Sequence, residues 1–227
     1  MAIAATKASL SHNLDGQKLG SKGRDTRERV LAATHRLLAE PDAVISLTAV
    51  AREASLGMTT LYLYFSDLTE LLLAVLEPIM ASAEVAYVAH LREYWPDEAL
   101  HEHCLEFVES YHAFWVRHTR ILHLRNSFAD ANDTRMRELR IQVSQPLMRL
   151  LVGQMGGDPA VSRSAATAMA TVLLTSIERL ITVTTDVNFS SLLIEDPVEH
   201  IRGLLNAEAR LLELGLRDRR AGGRPNR

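Results

Sequence analysis

The 227-residue chain contains one cysteine, Cys104, which excludes an intrachain disulfide and a zinc site built on several thiolates. Aromatic residues make up only 5% of it while alanine and leucine abound, a balance that favours helices over a β-sandwich. No stretch of about 18 apolar residues is free of charge, and the N-terminus does not show the basic-then-apolar order of a secretory signal, so a cytoplasmic protein without a membrane span is expected. Neither G-x-S-x-G, a P-loop nor a dinucleotide glycine pattern is present, and Gly156-Gly157 follows a helical stretch, not a strand. These absences point away from an enzyme. No internal repeat is evident.

What is present is helical periodicity and an uneven charge distribution. The net charge is −3, yet residues 1–66 carry eight Lys or Arg against six Asp or Glu, 67–216 carry 12 against 21, and 217–227 carry five against one. An acidic body with positive ends fits a nucleic-acid reader whose contacts are confined to one end; ordinary scatter of solvated charge is the competing reading. The length allows one large domain, or a small one beside a larger one.

The informative stretch is 45–73, ISLTAVAREASLGMTTLYLYFSDLTELLL. Val50, Ala51 and Ala54 fall on one face of a short helix, and Leu56, Leu61 and Phe65 resume the apolar pattern after a break, which predicts two helices packed through a tight turn. The second helix, from about Met58 to Tyr64, would expose Met58, Thr59, Thr60, Tyr62 and Tyr64, a hydroxyl-rich face that can approach phosphates without repulsion. Ser46 is the expected cap of the first, with a hydroxyl suited to a phosphate.

Val50-Ala51-x-x-Ala54, Leu56, Thr60-Leu61-Tyr62-x-Tyr64-Phe65 and Leu71-Leu72 resemble the tetracycline-repressor (TetR) family of bacterial transcription regulators, over roughly residues 24–76. The resemblance implies an all-α fold: an N-terminal three-helix helix-turn-helix DNA-binding domain and a larger helical ligand-binding and dimerisation domain. It also implies a double-stranded, palindromic DNA operator, a homodimer through the last two helices, and repression relieved by a small effector. Thr60, Tyr62 and Tyr64 would touch the DNA backbone with Ser46, while Met58 and Thr59 would face base edges. Three positions depart from the family: Ser55 stands where the turn carries Gly, Gly57 where a Ser caps the helix, and Leu68 where a Lys follows the Tyr-x-x-Phe segment. Ser55 suits a turn that is not left-handed, Gly57 can still cap, and Leu68 forfeits a phosphate contact.

The rest of the chain divides accordingly. Residues 1–23 are expected to be a flexible basic arm whose Lys7, Lys18 and Lys22, with Arg24, could follow DNA or be a spectator tail. Residues 24–66 form the DNA-binding domain, opened by a capping box at Asp25-Thr26-Arg27-Glu28; 67–216 form the effector-binding and dimerisation domain; 217–227 form a basic tail expected to fray. A helix from Ser66-Asp67 through Leu91 is expected to span about 27 residues and 40 Å, kinked at Pro78. Further helices follow from Asp97, from about Thr119, from about Met136 with an interruption at Pro146, from about Pro159 to Thr185, and from Asp196-Pro197. The penultimate helix is read as lined by Val161, Ala165, Ala168, Met169, Val172, Ile177, Leu180 and Ile181. Because the last two helices are apolar over more than one face, a twofold four-helix interface is inferred.

Phe107, Tyr111, His112, Trp115, His118, Arg125 and Phe128 cluster in sequence and are the candidate lining of a largely apolar effector pocket, with His112 and Arg125 as polar anchors. A solid aromatic core is the alternative. His101-x-His103-Cys104 with His112 invites a metal reading, but helical residues two apart point in different directions and H-E-x-x-H is absent, so neither metal nor cofactor is expected. A helical enzyme, or a scaffold dimer without a DNA-binding role, is the rival to the regulator.

Overall fold

The structure is a computed structural model, described here for residues 20–158, 160–161, 164–189, 191 and 196–222. Lys7, Lys18, Pro159 and residues 223–227, which carried parts of the sequence reading, lie outside the described residues. The described residues hold nine α-helices, two short 3-10 turns and no strand. They fall into two compact units that meet in sequence between Ile79 and Met80.

In the first unit, α1 spans Ser21–Ala39, α2 Leu47–Glu53 and α3 Met58–Tyr62. Helix α1 begins five residues earlier than the Asp25 capping box predicts: Gly20 is its extended cap, and Thr26 Oγ1 already donates to Lys22 O at 2.9 Å. Lys22 and Arg24 therefore belong to a helix, not to an arm. The helix stops where Glu40 turns extended before Pro41, since proline disfavours helical backbone at the preceding residue. Val30 and Ala33 pack with Val50, Ala51, Ala54, Leu61, Phe65 and Leu71 in one core, and the Arg27 guanidinium lies 5.3 Å from the Phe65 ring centre. Burial pulls the pKa of Arg27 below its ordinary value, against the attraction of Glu28, Glu77 and Glu70.

The turn between α2 and α3 is left-handed, contrary to the expectation for a serine. Ser55 has φ 54°, its N–H donates to Arg52 O at 3.1 Å, and the Leu56 N–H donates to Ala51 O at 2.8 Å. This pair of bonds is a Schellman closure, whose pivot must sit in the left-handed region.

Helix α4, Leu68–Ala86, opens on a reciprocal cap in which Glu70 N donates to Asp67 Oδ1 at 2.9 Å and Ser66 N donates to Glu70 Oε2 at 2.7 Å. Leu71, Leu72, Val75 and Leu76 are fully buried, which carries the first unit past Ser66 to Ile79. Pro78 lies inside the helix. The helix has 19 residues, not 27, because Tyr87 leaves it at φ −152° and a 3-10 turn, Val88–Leu91, follows.

In the second unit a 3-10 turn at Asp97–Ala99 leads into α5, Leu100–Arg117; α6 spans Thr119–Asp130, α7 Thr134–Gln154, α8 Ala165–Thr184 and α9 Pro197–Gly222. Helix α7 is continuous through Pro146: that residue is exposed, so water can satisfy the carbonyl a missing N–H would have met. At its end Gln154 Nε2 donates to Leu91 O at 3.0 Å and Glu93 O at 2.6 Å, while Gln154 Oε1 accepts from Trp95 N at 3.0 Å.

Helix α8 buries only part of the face expected: Ile177 and Ile181 are inward as read, but its N-terminal half turns the other side in. Ala170, Leu173, Leu174, Ile177 and Ile181 point inward, and Val161, Ala165, Ala168 and Val172 are exposed. By length and composition α8 is long and apolar enough to cross a membrane, but it carries Glu178 and Arg179 and packs against α7 and α9. Helix α9 runs antiparallel to α8: Ser176 Oγ donates to Glu208 Oε2 at 2.9 Å, and a Cβ on Gly215 would stand 2.8 Å from Leu173 Cδ1, so glycine permits the approach.

Residues 217–222, read as part of a tail that frays, instead continue α9. Arg217 Nη2 donates to Asp97 O at 2.9 Å, Arg220 Nη1 to Asp97 Oδ1 at 2.6 Å and Arg220 Nε to Gln154 O at 2.8 Å. One turn earlier, Glu213 accepts from Arg217 at 2.8 Å and Arg210 at 2.5 Å and lies 3.0 Å from His101 Nδ1. These bonds hold its carboxyl down at about 2, against the burial that would raise it.

Candidate functional site

Two helices position the candidate nucleic-acid face. Ser46 caps α2, accepting from Ala49 N at 3.2 Å, and its hydroxyl proton remains available for an outside acceptor. Between Asp42 and Asp67 the only charged residues are Arg52 and Glu53, and Glu53 is held by Arg36 at 2.6 Å. Arg29 Nη2 also donates to Ala54 O at 2.9 Å, so α1 fixes the end of α2 from two points. With Glu53 paired to Arg36, the stretch 43–66 presents an exposed Arg52 and no unpaired carboxylate.

On α3 the structure separates residues that sequence reasoning had grouped. Thr59 is exposed and Tyr62 is 48% exposed, as expected of a contact face. Thr60 is half-buried. Met58 and Tyr64 are also half-buried, packed against the core through the same stripe as Leu61 and Phe65, because residues three and four apart share a helix face. Leu63, 45% exposed, is a member of the outer face that the reading missed; it was passed over as apolar. Arg52 was missed for a plainer reason: a single cation at the end of a short helix has no pattern. Leu68 packs against the core, so a side chain there faces inward.

The second candidate site lies on α5 and α6. Phe107, Tyr111 and Trp115 are buried at four-residue spacing on one face of α5, and the Tyr87 ring meets Tyr111 edge-on at 4.6 Å, Phe114 at 5.2 Å and Phe107 at 6.4 Å. Phe114 was recoverable from its spacing to Phe107 and Tyr111; Tyr87 was not, since it arrives from another element. Arg125 is buried on α6 beneath Trp115, 5.5 Å from the ring centre, and Trp115 also meets His123 at 5.8 Å. His118 lies at the junction of α5 and α6, 5.0 Å from Phe114. Phe128 is half-buried and joins none of these ring contacts.

The polar groups around this cluster are strained electrostatically. Burial raises the pKa of Glu178 on α8 above the usual carboxylate range, against the pull of Arg125 and Arg140 and hydrogen bonds from Ser144 and Tyr111. Burial also pushes Tyr111 and Tyr87 well up and His112 down. His112 Nε2 is buried with no hydrogen-bond partner. The residues of the metal reading are dispersed: His101 faces Glu213, His103 stacks on Trp95 at 5.7 Å, and burial drives the Cys104 thiol to about 12, so it stays protonated.

The arrangement is that of an all-α helix-turn-helix protein with a separate helical body, the fold of TetR-like transcription regulators. Solved structures similar to this chain include the fatty acid degradation regulator FadR of Bacillus halodurans, at 15% identity and TM-score 0.57, covering 88% of this chain and 99% of that one. A TetR-like regulator of a Rhodococcus species is similar at 17% identity and TM-score 0.51, covering 85% of this chain and 97% of that one. A TetR-family regulator of Streptomyces coelicolor is similar at 20% identity and TM-score 0.50, over 82% and 99% of the two chains. At these identities the likeness is one of fold. Neither a family model nor a curated protein sequence matches the chain.

Proposed function

We propose that the protein is a ligand-responsive, DNA-binding transcription regulator, acting as a repressor that a small, largely apolar effector releases from its operator. The observation that carries this reading is the outward face of α3, where Thr59 and Tyr62 are exposed, in a stretch that also exposes Arg52 on α2 and has no unpaired carboxylate between Asp42 and Asp67. Tyr62, Thr59 and the Ser46 hydroxyl are the first contacts we assign to DNA; Thr60, Met58 and Tyr64 are reachable only at their outer edges. Phosphate contacts would position the face, and Thr59 with Met58 would read base edges weakly, since a thioether offers a thymine methyl little beyond apolar contact.

A second copy of the chain would complete the reader. Val172 on α8 is 64% exposed, and Leu211 and Leu214 on α9 are 45% and 48% exposed. The Leu173–Gly215 and Ser176–Glu208 contacts set them at one level of the helix pair, and we assign these exposed apolar residues to a partner subunit. Two such faces packed together give a homodimer, and two α3 helices then address a palindromic operator. The effector site is assigned to the aromatic cluster of α5 and α6. A soluble, cytoplasmic protein with no catalytic role and no cofactor completes the reading.

Gel shifts of genomic fragments against salt test it. The protein should retain nanomolar affinity for some fragment, lose it steeply as salt rises, and lose at least tenfold with Tyr62→Ala. Equal, weak binding of every fragment would leave a scaffold or an enzyme in its place.

A further inference from the structure

Arg125 is 3% exposed, yet its guanidinium has only neutral partners. Nε and Nη2 share one oxygen, Asn126 Oδ1, at 3.2 and 3.0 Å; Nη1 faces the Met80 thioether at 3.9 Å; the Trp115 ring covers it. Among the described residues no carboxylate forms an ion pair with it. A guanidinium offers five N–H donors in a planar fork that matches a carboxylate; three are met here, two by a single shared amide oxygen and one only by a weak thioether acceptor. The carboxylate that attracts it, Glu178, forms no ion pair with it and is pushed by burial towards its neutral form, so the buried cation is only partly compensated. One helical turn before Trp115, His112 Nε2 is a buried polar atom without a hydrogen-bond partner. His112 lies on α5, the helix whose Trp115 covers Arg125.

We propose that Arg125 receives the head group of the effector, and that the effector is an amphipathic monocarboxylate whose apolar body packs on the α5 aromatic face. This rests on the effector reading above and narrows it to one ligand class. The carboxylate takes the place of the Met80 thioether at Nη1 and forms two parallel N–H···O bonds. The methionine side chain is flexible enough to move aside. Met80 lies on α4, the one helix whose residues belong to both compact units, so the ligand's first displacement falls on the element that continues into the DNA-binding unit. Glu178 can accommodate the incoming charge because its carboxyl already favours the protonated form more than an exposed one does.

The test uses the full chain with straight-chain monocarboxylates from butanoate to dodecanoate and a series of phenylalkanoates, each beside its primary amide. Binding is read by tryptophan fluorescence, since Trp95 and Trp115 are the only two tryptophans, and by thermal shift. At least one acid should bind tenfold or more tightly than its amide, and Arg125→Gln should erase that preference. Arg125→Met, without ligand, should melt no lower than wild type, because it removes a buried charge whose attracting carboxylate, Glu178, already leans towards its neutral form. Absence of binding by every acid, equal affinity for acid and amide, an unchanged preference in Arg125→Gln, or a marked fall in the melting temperature of ligand-free Arg125→Met would each overturn the proposal. The regulator reading is judged separately by operator binding: an acid that binds through Arg125 without releasing DNA keeps the carboxylate site and removes its role as effector.

Discussion

Ser55→Gly should make the protein more stable. Ser55 is the pivot of the α2–α3 turn, at φ 54°, with its own N–H and that of Leu56 closing on Arg52 O and Ala51 O. A side chain in left-handed backbone costs roughly 1–2 kcal/mol. Glycine removes that strain but adds about 0.5–1 kcal/mol of unfolded-chain entropy. Ser55 is exposed, so no packing is lost, and the net gain is about 0.5–1 kcal/mol. If the unit ending at Ile79 melts by itself, its Tm should rise by roughly 2–8 °C, and by about half that if the whole chain melts as one. Differential scanning calorimetry of wild type, Ser55→Gly and Ser55→Val reads it. The β-branched valine tolerates left-handed backbone least and should lose about 1 kcal/mol or more. A lower Tm for Ser55→Gly, or a valine variant as stable as wild type, would refute the left-handed turn and with it the placement of α3.

Three further outcomes follow from the second unit. The Glu213 carboxyl titrates at about 2 in the folded protein against an ordinary 4.5, so its contribution to stability is complete above about pH 5 and declines as pH falls through 4.5 towards 2; Glu213→Gln should flatten urea midpoints over that window. Glu208 behaves oppositely. Burial raises its pKa, Oε1 has no partner, and the folded state therefore binds the proton more tightly than the unfolded chain, so Glu208→Gln should raise the urea midpoint at pH 7 and raise it less near pH 4; an unchanged or lower midpoint at pH 7 would show that this carboxylate is compensated. Finally, Val172→Glu with Leu214→Glu should halve the mass seen by light scattering while leaving the far-UV circular dichroism intact, since both side chains are exposed within one subunit.

Local patterns were legible and long-range ones were not. The core of the first unit was readable because Val50, Ala51, Ala54, Leu61 and Phe65 repeat at helical spacing, and the Ser46 cap because its hydroxyl acts on a neighbour three residues away. Met58 and Tyr64 were placed outward because a five-residue helix leaves too few turns to fix its inner face. The end of α4 was hidden for a similar reason: a 3-10 turn at Val88–Leu91 keeps a three-residue spacing that resembles continued α-helix, while what breaks the helix is Tyr87 joining Tyr111 and Phe114 from α5. Helix α8 is apolar on two sides, so periodicity alone could not choose between Val172 and Leu173 as the inward residue. The docking of residues 217–222 is not legible locally because Asp97 and Gln154, which bind Arg220, lie far away in sequence. At the candidate effector site the sequence yielded Arg125 and the aromatic row of α5, but not that the cation is buried among neutral groups, which depends on Met80 and on the packing of three helices.

The most direct measurement is the symmetry of the DNA site. Selection of bound sequences from random DNA, followed by hydroxyl-radical footprinting, should return an inverted repeat protected on one face, with half-site centres about 34–36 Å or a multiple of that apart and with protection lost in Tyr62→Ala. A single unpaired half-site bound by a monomer, random sequences with no enriched repeat, or an unaltered footprint in Tyr62→Ala would contradict the assignment of α3 as the reading helix of a twofold regulator.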